Sequence, residues 1–177
     1  MLVGLISDSH DNFADLLRCL RIFQDRDVEL ILHAGDMTAS GMCYAFQGID
    51  SKIKLVFGNN DGDRFSLIRD FQGVGGEYLG DFGEVEADGL RIALLHGTYE
   101  PIVRALAGSG EFDVVVRGHT HNYSVEREKS LLINPGEVWG HFTGWKTAAI
   151  LDTDSLDVER IDLGREPSIR QILGMGG

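Results

Sequence analysis

The sequence predicts an α/β fold, a single domain with two sheets packed face to face and helices outside. Three observations point to it. The first third alternates short apolar runs with helical stripes in a βαβαβα order, which implies parallel strands and right-handed crossovers. Each of those runs ends in a polar cluster, at the carboxyl edge where open parallel sheets bind ligands. After about residue 73 the pattern changes to hairpins and short strands, enough for a second sheet.

Leu2-Val3-Gly4-Leu5-Ile6 is a continuous apolar run, as expected of a strand buried on both faces. It ends at Ser7-Asp8-Ser9-His10. Phe13, Leu16, Leu17, Leu20 and Phe23 then form a helical stripe, with Asn12 as its N-cap. Leu30-Ile31-Leu32 is the second strand and runs into His33-Ala34-Gly35-Asp36. A weaker helix is expected over about residues 40–48. The third strand, 53–57, ends at Gly58-Asn59-Asn60-Asp61, and Phe65, Ile68 and Phe71 mark a short helix. Asp88-Gly89 between two apolar arms is a hairpin signal. The second arm stops at His96-Gly97, and Pro101 suits the first turn of a helix over about 101–108. A strand at 113–117 leads into Gly118-His119-Thr120-His121. Short strands follow at about 123–127, 131–133, 146–151 and 157–163, the last two a hairpin around Thr153-Asp154-Ser155. The domain is expected to span 1–165, with a C-terminal tail over 166–177 whose last residues, 174–177, are frayed.

The 177 residues are 43% hydrophobic and 25% charged, a globular composition long enough for a sizeable core. The formal net charge of −12 repels polyanions, whose phosphates drive nucleic-acid affinity, so polymeric nucleic acid is not the expected partner. Cys19 and Cys43 fall in expected helices and suggest no disulfide framework. No apolar run reaches membrane-spanning length, and the N-terminus has no basic segment before its apolar start. These features imply a cytoplasmic protein with no membrane partner; a homo-oligomer stays open. Glycine, at 23 residues, is nearly twice as frequent as the usual ~7%, and Gly35, Gly58, Gly97 and Gly118 adjoin the polar clusters. There they let the backbone turn sharply.

Those clusters supply Asp8, His10, Asp36, Asn59, His96, His119 and His121. His119 and His121 are two apart, and in an extended segment residues at that spacing point the same way. Every donor in the set is oxygen or imidazole nitrogen, which suits Mn²⁺, Fe²⁺, Zn²⁺, Ni²⁺ or Co²⁺ better than a structural zinc site. Seven side chains exceed what one catalytic ion with an open position needs. Two ions about 3.5–4 Å apart sharing one carboxylate would use them all.

In this order, Asp8-Ser9-His10, Gly35-Asp36, Gly58-Asn59-Asn60-Asp61, His96-Gly97 and Gly118-His119-Thr120-His121 resemble the five-block signature of the calcineurin-like metallophosphoesterases. Asn134-Pro135-Gly136-Glu137 resembles a further loop of their small prokaryotic phosphodiesterase branch. The resemblance implies a four-layer αββα sandwich of two mixed sheets with outer helices. It also implies Asp8, His10 and His121 on one metal, Asn59, His96 and His119 on the other, and Asp36 bridging. The cofactors would be two divalent transition metal ions, Mn²⁺ first among them. A bridging hydroxide would attack phosphorus in a small phosphodiester or nucleotide.

The sequence departs from the signature in one place. Many members carry a leaving-group histidine where this chain has Asn60. A general acid typically contributes ~10²–10⁴-fold, so leaving groups of high pKa are expected to be poor. Asn60 and Asp61 are the candidates for orienting substrate or water. A phosphomonoesterase is the close variant. A catalytically silent scaffold of the same fold, as in retromer, is the rival, and intact ligand positions argue against it.

The remaining polar and aromatic residues have plainer readings. His33 is expected as a core histidine, His141 in a loop, Arg64 in a surface ion pair, and Trp139, Phe142 and Trp145 as core packing. Arg117 either pairs with a carboxylate or helps bind phosphate, and the segment 98–110 is the expected wall of an open site.

Overall fold

In the computed structural model, which describes residues 1–175, the first apolar run forms β1 (Leu2–Ile6) in the middle of a six-stranded sheet. β2 (Leu30–His33), β3 (Lys52–Leu55) and β4 (Gly76–Tyr78) extend that sheet in parallel on one side. On the other side β10 (Trp145–Asp152) and β11 (Val158–Arg165) add an antiparallel hairpin. The helices joining the parallel strands are α1 (Phe13–Asp25) and α2 (Arg64–Gln72), with a 3₁₀ segment at Ser40–Phe46 between β2 and β3. Both helices are capped by a side chain. Asn12 accepts from the Asp15 N–H at the start of α1, and Asp63 accepts from the Ser66 N–H at the start of α2.

The second sheet has five strands in the order β5 (Phe82–Ala87), β6 (Leu90–Leu95), β7 (Val114–Val116), β9 (Leu131–Asn134) and β8 (Ser124–Arg127). Asp88 and Gly89 both have positive φ, the geometry of a type I′ hairpin turn, and join β5 to β6. The crossover from β6 to its parallel neighbour β7 is α3 (Glu100–Ser109), with Pro101 in its first turn. A short helix α4 (Ile169–Ile172) follows β11.

Alternation along the strands sorts the core into three layers. Val3, Leu5, Leu30 and Leu32 of the first sheet meet Ile92, Leu94, Val114 and Val116 of the second, with no helix between. Ile6, Ile31, Ile53 and Ile150 face Leu16, Phe23 and Phe71 of α1 and α2. Ala93, Val115 and Leu132 face Val103 and Ala107 of α3. The sequence of layers is therefore helix, sheet, sheet, helix, and both sheets are mixed, as expected.

Three details differ from the sequence reading. The expected helix at 40–48 is 3₁₀. β4 has no sequence signal because three residues beginning on the second glycine of a pair carry no periodicity. The expected tail contains α4, closed by a capping box between Ser168 and Gln171. Of the residues expected to be frayed, 176 and 177 lie outside the described residues. No helix among the described residues is long and apolar enough to cross a membrane.

Candidate metal centre

β1, β2 and β3 end side by side, as do β6 and β7, and the loops leaving these ends carry the seven predicted side chains. The backbone there is held in an unusual conformation. Nine non-glycine residues have positive φ among those described, and five of them are Asp8, His10, Asp36, His119 and His121. Left-handed backbone at side chains with a Cβ is uncommon and tends to concentrate at functional sites. It also changes the reason why His119 and His121 work as a pair. Both are left-handed rather than extended, so they do not share a face. His121 stacks 5.5 Å from His10, whereas His119 sits edge-on 5.2 Å from His96.

Two groups of ligand atoms converge. Asp8, His10 and His121 form one, and Asp8, Asp36 and His96 form the other, each with its donor atoms within 4.8 Å of one another. The carboxylate common to both is Asp8, while Asp36 belongs to the second. Asn59 joins that second group, its Oδ1 3.0 Å from His96 Nε2.

Each imidazole is oriented by what its other nitrogen touches. His96 Nδ1 lies 2.8 Å from the Ala34 carbonyl, which can only accept, so Nδ1 carries the proton. Its Nε2 then points at Asn59 Oδ1 and, at 3.4 Å, Asp36 Oδ2. His121 Nδ1 lies 2.8 Å from Glu137 Oε2, and its Nε2 is 3.3 Å from Asp8 Oδ1. With each imidazole neutral, lone pairs face lone pairs at both groups. Asp8 Oδ1 and His10 Nε2 are buried and have no hydrogen-bond partner at all. Buried polar atoms of native proteins are seldom left so, and a divalent cation in each group removes the conflict. The residues present fit two such ions.

The titration behaviour follows from the same crowding. Burial raises the pKa of Asp8, against the pull of His121 and His96. Burial also acts to raise Asp36, but hydrogen bonds from His96 and Asn60 outweigh it and hold that carboxyl below the usual range. Burial lowers His10 and His119. His96 and His121 are raised despite burial, by the carboxylates beside them. Buried His33 is pushed down to about 3 and contacts the Ser9 hydroxyl at 3.0 Å, a neutral core residue as expected.

The residues after Asn59 have different placements. Asn60 is exposed and donates to Asp36 twice, from its backbone N–H at 2.8 Å and its amide Nδ2 at 2.7 Å. Asp61 is buried, and its carboxylate accepts the backbone N–H groups of Gly58, Thr38 and Asp36 at 2.7, 2.7 and 3.2 Å. Its oxygens thus serve the loops that carry Asp36 and Asn59, and they do not face the cleft. Two glycines make the close approach feasible. A Cβ at Gly58 would fall 2.1 Å from Asp36 Oδ1, and one at Gly118 would fall 1.8 Å from Ser7 Oγ.

Several supporting residues carried no signal in the sequence strong enough to assign them. Glu137 is wholly buried and also accepts from Thr143 N–H and Oγ1. Asn134 Nδ2 donates to the Gly118 carbonyl and to Thr120 Oγ1. Arg117, 5% exposed, donates to the carbonyls of Gly97 and Gly118 at 2.9 and 3.0 Å and pairs with Glu100. Of the two readings for Arg117, pairing with a carboxylate is the one its contacts match.

The aromatic residues expected in the core are a correction. Trp139 packs 4.7 Å from His10 and Phe142 4.7 Å from His121, and Phe142 and Trp145 are exposed. They stand at the surface because the 137–144 loop crosses the edge of the centre, Trp139 N–H bonding to the Asp8 carbonyl. His141 lies in a turn there, edge-on to Trp139. Arg64 is in the expected ion pair, 2.8 Å from Asp81.

Comparison with known proteins gives three findings. The sequence profile of the Calcineurin-like phosphoesterase superfamily domain matches residues 1–156. A phosphodiesterase of Methanocaldococcus jannaschii is 35% identical over 165 residues, covering 92% of this chain and 99% of its own length. A probable metallophosphoesterase of Methanothermobacter thermautotrophicus is 32% identical over 148 residues, 77% of this chain and 76% of the relative. Among solved structures, an archaeal phosphodiesterase superposes with a TM-score of 0.87 at 34% identity, over 92% of this chain and 99% of that one. Vacuolar protein sorting 29 from Cryptosporidium parvum superposes with a TM-score of 0.63 at 18% identity, over 90% and 95%, and shares the fold.

Proposed function

The chain belongs to the calcineurin-like phosphoesterase superfamily, and from that premise we propose that it is a metal-dependent phosphodiesterase acting on a small phosphodiester. The observation that carries this reading is the convergence of donor atoms in two groups, with Asp8 Oδ1 and His10 Nε2 buried and unpartnered in one and His96 Nε2 set against the oxygens of Asn59 and Asp36 in the other. In this reading Asp8, His10 and His121 would hold one ion and Asn59, His96 and His119 the other, with Asp36 shared; His119 stands outside both groups of converging atoms and would join the second from beside His96. Asp36 is the carboxylate the two ions would share in this reading, its Oδ2 lying 3.4 Å from His96 Nε2, although the carboxylate common to both groups of converging atoms is Asp8. The nitrogen and oxygen donors suit Mn²⁺, with Fe²⁺, Co²⁺, Ni²⁺ and Zn²⁺ as alternatives. Bound there, two such ions supply Lewis acidity toward phosphoryl oxygens and a lowered pKa for water.

The chain's own residues do the rest. The Ala34 carbonyl and Glu137 fix the Nδ1–H tautomers of His96 and His121 and so aim both Nε2 lone pairs inward. Asp61 ties the two loops of the second group together by their N–H groups. Arg117 and Asn134 hold the loops of His96 and His119 by their carbonyls. Trp139 and Phe142 keep water from one flank of His10 and His121. Asn60 orients Asp36, and its amide has no acidic proton to transfer to a leaving group, so esters of acidic alcohols are the favoured substrates. The cytoplasm is the proposed compartment.

Turnover of bis(p-nitrophenyl) phosphate by the metal-loaded protein tests the reading. Hydrolysis with Mn²⁺ that is lost in Asp36→Asn is expected. No activity above that of metal alone with Mn²⁺, Ni²⁺, Co²⁺ or Zn²⁺ would contradict it.

A further inference from the structure

A cavity of about 490 Å³ opens from the second group of donors, with Asn59 and His96 in its wall. Away from them it runs between the start of β5 and the start of α3, and there the lining is aromatic and apolar, from Phe57, Phe82, Tyr99 and Ile102. Three of these are exposed, Tyr99 by 70%. An apolar surface of this kind, continuous with a polar centre, is how small-molecule sites combine affinity with orientation.

Its polar side chains away from those donors are Arg64, Asp81 and Thr98. Arg64 stacks its guanidinium 4.5 Å over the Phe57 ring, and Asp81 holds it there at 2.8 Å. A flat cation on an aromatic face is itself a stacking surface. Arg64 supplies N–H donors and Asp81 carboxylate acceptors at the same rim, as the edge of a heteroaromatic base requires. A long acyl chain would outgrow the volume, and a sugar alone would leave the rings of Phe82 and Tyr99 without a partner. Nothing in the proposed hydrolysis uses Arg64, Phe82, Tyr99 or Ile102.

Resting on the phosphodiesterase reading, we propose that this cleft receives the base of a nucleoside, so that the substrate is a small nucleoside phosphodiester. The base stacks between Tyr99 and the Arg64–Phe57 pair while its phosphate lies at the donors beyond Asn59 and His96. The net charge of −12 keeps the occupant a small nucleotide rather than a polymer.

Calorimetric titration of the Mn²⁺-loaded full chain with AMP and with ribose 5-phosphate isolates the base, since ribose 5-phosphate carries a hydroxyl where AMP carries adenine. Stacking contributes a factor of about ten or more per base, so AMP is expected to bind at least about tenfold tighter. Tyr99→Ala and Arg64→Ala are each expected to reduce that ratio severalfold. Equal affinities for the two ligands, or a preference that survives both substitutions, would overturn the base site and leave the phosphoesterase reading standing. Binding of neither ligand by protein that still hydrolyses bis(p-nitrophenyl) phosphate would likewise overturn the base site alone.

Discussion

Glu137 Oε2 lies 2.8 Å from His121 Nδ1, and both side chains are buried, Glu137 completely. The carboxylate is spoken for on all sides, since Thr143 and Phe142 also donate to it. Burial alone would raise the Glu137 pKa, but these contacts hold it below the usual range. A carboxylate in this position sets the imidazole tautomer, and its loss typically weakens metal binding 10–100-fold. Glu137→Gln should therefore weaken Mn²⁺ binding by about that factor, as measured by competition with a chelating dye. An unchanged affinity would separate Glu137 from the centre.

Asp61 is expected to matter for stability. Asp61→Ala removes the acceptor of three backbone N–H groups, and a buried donor left unsatisfied costs about 1–3 kcal/mol. Some water will reach the gap, so a loss of about 3–5 kcal/mol is expected in urea unfolding of the metal-free protein. A change of about 0.5 kcal/mol or less, the range of ordinary surface substitutions, would show that Asp61 is not the tie described.

Arg117 joins the loops of His96 and His119 from behind, through the carbonyls of Gly97 and Gly118. Lysine has no planar fork and cannot reproduce both bonds. Arg117→Lys should thus be nearly as destabilising as Arg117→Met, by about 2–3 kcal/mol. Full rescue by lysine, read from the urea midpoint, would reduce the residue's part to its charge.

Away from the centre, Lys146 Nζ lies 2.6 Å from both Asp15 and Glu166. Burial tends to raise the Asp15 pKa, yet the bonds from Lys146 and Asn12 bring it below the ordinary carboxylate value. A carboxyl whose pKa is lower folded than unfolded stabilises the fold above the unfolded value, about 4, and loses that contribution as pH falls through the folded value. The difference in urea midpoint between wild type and Asp15→Asn should accordingly be present at pH 6 and shrink below pH 3. A difference that is constant or grows on acidification would contradict the pairing.

Much of this arrangement is legible in the sequence because period and order carry it. The alternation of apolar runs and helical stripes gives β1, β2 and β3 of the first sheet, and Asp88-Gly89 gives the β5–β6 hairpin. Five of the seven candidate ligands, Asp8, His10, Asp36, His96 and His121, converge, and their position after strand ends is what makes them legible. What stayed hidden depends on distance in the chain. Glu137 meets His121 across 16 residues, and Asp61 meets Thr38 across 23. Spacing along the sequence says nothing about such contacts. Asp61 is a sequence candidate for orienting substrate or water, and only the coordinates show its carboxylate accepting three backbone N–H groups. Trp139 and Phe142 resemble core residues by type, and only the course of the 137–144 loop puts them beside the imidazoles. Asn60 could be assigned no acid role from its chemistry, whereas its double bond to Asp36 needed coordinates.

The central claim is that two cations share these loops, and counting them tests it most directly. After loading with Mn²⁺ and removal of unbound metal, elemental analysis should give two ions per chain. One ion or fewer per chain, under conditions where the protein stays folded, would contradict the account.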